Sequence, residues 1–113
     1  MGEVVQITTQ ERADQLFELL KIPVHKYFER ELYMKEHRLF EIETEEGLVV
    51  FAVFDPNSLL EICVSMHNNP PNEKAVEVIR KWAIDHNINY WPKEKYPYCY
   101  AQLEDVPGYD EEL

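Results

Sequence analysis

Residues 39–66 read LFEIETEEGLVVFAVFDPNSLLEICVSM, and this stretch decides the fold. Leu39-Phe40-Glu41-Ile42-Glu43-Thr44 alternates strictly, with Phe40 and Ile42 on one face and Glu41, Glu43 and Glu45 on the other, which predicts a half-exposed strand. Glu46-Gly47 supplies the turn, because glycine tolerates positive φ. Residues 48–54 are apolar throughout, so the next strand is expected to be buried on both faces. Asp55-Pro56-Asn57-Ser58 marks a second turn. Residues 59–66 alternate again, setting Leu60, Ile62, Val64 and Met66 against Leu59, Glu61, Cys63 and Ser65. The expectation is a three-stranded antiparallel meander.

On the N-terminal side, the β-branched run at residues 4–7 predicts a first strand. Thr8-Thr9-Gln10-Glu11 fits a capping box with Thr8 as the cap. Ala13, Leu16, Phe17 and Leu20 follow at helical spacing, giving a helix over about 10–21. Pro23 stops it and opens a second helix carrying Val24, Tyr27, Phe28, Leu32 and Met34. On the C-terminal side, Asn72 is positioned to cap a helix whose apolar face is Ala75, Val76, Ile79, Trp82 and Ala83, ending near His86 and Asn87. Residues 88–92 and 96–103 read as further extended segments, the latter an edge strand because of Pro97. The fold class is therefore α+β: a mixed sheet built on the meander, with two N-terminal helices and one central helix. One domain is expected over 1–103, followed by an acidic C-terminal tail over 104–113.

Among the 113 residues, eleven Lys and Arg stand against twenty-two Asp and Glu, a formal net charge of −11. The excess is segregated. Residues 39–73 hold seven acids and residues 96–113 five more, with no Lys or Arg in either window. Such a surface repels phosphate backbones and anionic lipid and attracts basic partners, so neither direct nucleic-acid nor membrane binding is expected. No apolar run approaches the ~20 residues of a membrane span, and Met-Gly-Glu-Val-Val lacks the pattern of a secretion signal. Two cysteines, Cys63 and Cys99, make no disulfide framework. The expected location is cytoplasmic, in the host cell if the chain is viral.

The order strand, two helices, three-strand meander, helix, strand resembles the GNAT family of N-acetyltransferases over about residues 4–103. The similarity is strongest over residues 47–83, where the chain looks like small phage-encoded members. That resemblance implies an acyl-CoA site, in which a glycine-rich loop before the central helix holds the pyrophosphate on backbone amides and the helix N-terminus. The matching position here carries His67-Asn68-Asn69-Pro70-Pro71-Asn72-Glu73, with no glycine and two prolines that donate no amide. The segment that supplies the family's catalytic tyrosine is missing as well. The chain thus resembles a degenerate and truncated member, and no cofactor is expected.

Nothing else in the sequence argues for chemistry. Histidines 25, 37, 67 and 86 lie in different elements and the cysteines have no local ligand partner, so no metal site is expected. Glu61 and Ser65 read as polar residues of an exposed strand face, rather than Glu61 as a general base. The densest aromatic stretch, residues 90–100, carries Tyr96, Tyr98 and Tyr100 on one face of an extended segment. Tyrosines so placed are common anchors at protein interfaces.

The leading reading is a non-catalytic interaction protein whose acidic and aromatic surface (Glu41, Glu43, Glu45, Glu46, Tyr96, Tyr98 and Tyr100) binds a basic surface of a protein partner. A phage-encoded inhibitor of a host defence or nucleic-acid-binding protein is one form of it. Glu41, Glu43 and Glu45, about 6.8 Å apart in series along a strand, would then mimic a nucleic-acid backbone. The alternatives are a minimal acyl-CoA-dependent N-acetyltransferase and a structural or assembly subunit that pairs as a homodimer.

Overall fold

The structure, a computed structural model, describes residues 2–66, 69 and 71–89, leaving aside the side chains of 61, 62 and 64. Over the described residues it is an α+β fold with four α-helices and a four-stranded antiparallel sheet. In chain order the elements are β1 (Val4–Gln6), α1 (Gln10–Leu20), α2 (Val24–Glu29), α3 (Glu31–Glu36), β2 (His37–Thr44), β3 (Gly47–Phe54), β4 (Leu59–Val64) and α4 (Glu73–Asp85). The strands lie in the order β1-β2-β3-β4 with every neighbouring pair antiparallel. The only parallel contact among the described residues is an isolated bridge between Leu59 and Asn89.

The sheet is covered on both sides. Phe40, Ile42, Val49, Phe51, Val53, Leu60 and Cys63 pack with Ala75, Ile79 and Ala83 of α4. Leu39, Val50 and Ala52 pack with Ala13, Leu16 and Leu20 of α1 and with Val24, Tyr27 and Tyr33 from α2 and α3. The uninterrupted apolar run of β3 fits a strand buried on both faces. The same geometry overturns the half-exposed reading of β2. Of its acidic face, Glu41 is buried and paired with Arg12 of α1, while Glu43 stays exposed nearer the turn.

Three further expectations are corrected along the N-terminal half. The cap of α1 is Thr9 rather than Thr8: its backbone is extended and its Oγ1 accepts from the Arg12 amide at 3.2 Å. The second helix is two short helices, so three helices precede β2, not two. They break at Arg30, which is extended at φ −84°, ψ 106°. Tyr27 and Tyr33 are six positions apart, about 240° around a continuous helix, and could not both meet the sheet without that break. With it their rings lie 4.9 Å apart, and Leu32 is left 79% exposed. Strand β2 begins at His37, directly after α3, and so includes Arg38.

In β4 the register shifts. Ala52 pairs with Ile62 but Val53 pairs with Leu60, so Glu61 is an extra residue. A bulge of this kind reverses the alternation beyond it. Leu60 and Cys63, expected on opposite faces, therefore both enter the core beside α4.

Helix α4 follows the sequence closely. Asn72 caps it, and Asn87, in the left-handed region at φ 57°, follows its end. Trp82 is half-buried, its ring 4.9 Å from Phe40 and 5.3 Å from Phe51. The expected extended segments at 90–92 and 96–103, and the tail at 104–113, lie outside the described residues.

Candidate functional site

The acids proposed from the sequence separate into two kinds. Glu41 accepts a two-pronged hydrogen bond from Arg12 of α1, with Nε to Oε2 at 2.8 Å and Nη2 to Oε1 closing the fork. Hydrogen bonding to Glu41 raises the guanidinium pKa from its ordinary value; partial burial opposes the rise, and the charges of Glu41 and Glu43 add to it. The stability that a raised cation pKa contributes is lost as pH rises through the raised value, so the Arg12 guanidinium adds no titration step near neutrality. Glu41 is thus a structural ion-pair member and not part of an outward-facing row. The evenly spaced line of three strand carboxylates does not exist on the surface.

Glu43, Glu45 and Glu46 are exposed and gather at the β2–β3 turn. The turn itself is tied down. Thr44 Oγ1 accepts from the Glu46 amide at 3.1 Å and lies 3.3 Å from both the Gly47 carbonyl and Asn72 Oδ1. Gly47 sits at φ 129°, a region that L side chains rarely adopt.

This turn docks against the start of α4. Asn72 Oδ1 accepts from the Ala75 amide at 2.8 Å, Glu46 Oε1 accepts from the Lys74 amide at 3.2 Å, and Lys74 Nζ lies 3.3 Å from Glu45 Oε1. Free amides at a helix N-terminus attract anions. Here the protein's own Glu46 carboxylate takes that place, and a side-chain amide takes the next donor.

Beside the turn lies a groove of about 420 Å³, walled by Leu19 and Leu20 of α1, Leu48 and Met66, with Glu43 and Glu46 on its rim. Leu19 is 51% exposed and Met66 47%. Neither was singled out as a site residue from the sequence. Leu19 falls off the Ala13–Leu16–Leu20 stripe, which was a readable sign of an apolar side chain left outside the core.

Met66 was expected to alternate along β4, but the strand ends at Val64. The Ser65 amide instead donates to the Asn69 carbonyl at 2.8 Å, closing a short turn.

A second acidic surface, also missed, lines α1, where Glu11, Asp14 and Glu18 flank Phe17 and His25. Its charge is hidden in the sequence by two neighbouring bases. Arg12 pairs with Glu41, and Lys21 lies 3.8 Å from Glu18.

Tyr96, Tyr98 and Tyr100 lie outside the described residues. Among those described, no group of three His, Cys, Asp or Glu side chains is placed to hold a metal ion, and no helix is long and apolar enough to cross a membrane. Compared with protein-family models, with curated proteins and with solved structures, the chain matches none.

Proposed function

We propose that this chain is a non-catalytic interaction protein that uses the carboxylates of its β2–β3 turn to bind a basic surface on a protein partner. The observation that carries this reading is the arrangement at the turn. Three exposed acids are held on a hydrogen-bonded tip, where Lys74 is engaged with one of them. Preorganised charge of this kind speeds association and selects partners more than it adds raw affinity. The resemblance to small phage-encoded chains favours a host defence or nucleic-acid-binding protein as the target. Mimicry of a nucleic-acid backbone would rest on the tip cluster of Glu43, Glu45 and Glu46, because Glu41 is spent inside.

The test is an affinity pull-down from the native host at graded salt, run beside a variant with Glu43, Glu45 and Glu46 all changed to Lys. The partner is expected to elute as salt rises, since exposed attraction is screened over ~8–10 Å at physiological ionic strength. The reversed variant is expected to retain little of it. A partner held equally by both proteins at high salt would show that the tip is only a solvated turn.

The acyltransferase alternative is favoured by one observation, the parallel bridge from Asn89 to Leu59. After α4 the chain returns beside β4, as the resembled fold would require. Against it stands the start of α4, where Glu46 and Asn72 already hold two amide donors and a carboxylate occupies the place of a phosphate. Titration calorimetry with acetyl-CoA is expected to show no saturable binding. A micromolar dissociation constant would restore the enzyme reading.

A further inference from the structure

We infer that the groove between α1 and the β2–β3 turn seats an aliphatic side chain from a basic segment of the partner protein. This rests on the reading above and adds to it the position and chemistry of the contact.

Three observations converge on the groove. Leu19, Leu20, Leu48 and Met66 give it an apolar patch beside Ser65 and Asn72, and two of these four, Leu19 and Met66, are about half exposed. Its rim carries Glu43 and Glu46. It also lies at the C-terminal end of α1, where the terminal carbonyls carry partial negative charge.

An apolar floor under an electronegative rim selects a leucine-like side chain flanked by Lys or Arg. The methionine in the wall adapts to the shape of what enters. A second copy of the chain fits poorly, because it brings a net charge of −11 to a rim that is already acidic.

The test uses the full chain and three end-blocked synthetic peptides, Lys-Arg-Leu-Lys-Arg, Lys-Arg-Ser-Lys-Arg and Glu-Glu-Leu-Glu-Glu, read by fluorescence polarisation and by amide shifts in NMR. The basic leucine peptide is expected to bind about tenfold or more tightly than its serine counterpart, given the burial of one leucine side chain. Its shifts should centre on Leu19, Leu48 and Met66. Leu19→Ser is expected to abolish the preference for leucine. Leu32→Ser, at an exposed leucine elsewhere, should leave it unchanged.

Equal binding of the two basic peptides, unaffected by Leu19→Ser, would overturn the groove while leaving the acidic tip as a docking surface. Absence of binding by either basic peptide would overturn both. Equal binding of the acidic leucine peptide would overturn the basic partner. A dimer in sedimentation that Leu19→Ser dissolves would give the groove to a second copy and overturn the inference.

Discussion

Glu41→Lys is expected to lower the unfolding free energy by about 3 kcal/mol, the scale for breaking a largely buried ion pair. In a domain of this size that is a fall in melting temperature on the order of 10–20 °C. The Glu41 side chain is only 12% exposed, and the substitution replaces a two-pronged acceptor with a cation facing Arg12. Arg12 is itself 36% exposed and can turn partly to water, which keeps the cost at the lower end for such a pair. Glu43→Lys, two residues along the same strand but exposed, is expected to stay within about 0.5 kcal/mol. Thermal melts of the two variants check the distinction. Equal melting temperatures would mean that Glu41 is as solvated as its neighbour. A charge-reversal series that includes Glu41 would confound unfolding with lost binding.

Phe51→Ala is expected to cost about 3–5 kcal/mol, the range for deleting a large core aromatic. Phe51 is fully buried in the centre of β3, its ring 5.1 Å from Phe40 and 5.3 Å from Trp82. These rings bind sheet to α4, and Arg38 extends the group by placing its guanidinium carbon 5.4 Å from the Phe40 ring. Denaturant unfolding followed by Trp fluorescence checks the value. Leu32→Ala, by contrast, removes a side chain that is 79% exposed and should be nearly silent. A loss below about 1 kcal/mol at Phe51 would mean that the sheet and α4 are not packed as described.

Particular residues show how far the sequence could be read. The apolar run of residues 48–54 and the Asn72 cap were legible because each depends on local signals: unbroken hydrophobicity in one case, a side-chain oxygen before an amphipathic run in the other. The misplacement of Glu41 has a different cause. Alternation says which residues share a face, but not whether another element lies over that face. The covering element did leave a trace, since Arg12 precedes Leu16 by one helical turn and so rides the edge of α1's buried stripe. The bulge at Glu61 left no trace. Nothing in Leu59-Leu60-Glu61-Ile62-Cys63 marks an extra residue, and only pairing with β3 reveals it. The groove escaped notice for a related reason. Its walls come from residues 19, 20, 48 and 66, which are brought together by tertiary packing alone.

The bulge has a chemical corollary. By turning Cys63 into the core it leaves that thiol with no exposed surface. Thiol reagents attack an accessible thiolate, so the intact fold shields Cys63 from alkylation. In a Cys99→Ser background, the slow labelling of Cys63 becomes a clock for opening of the sheet, its rate set by how often the fold breathes rather than by sulfur reactivity.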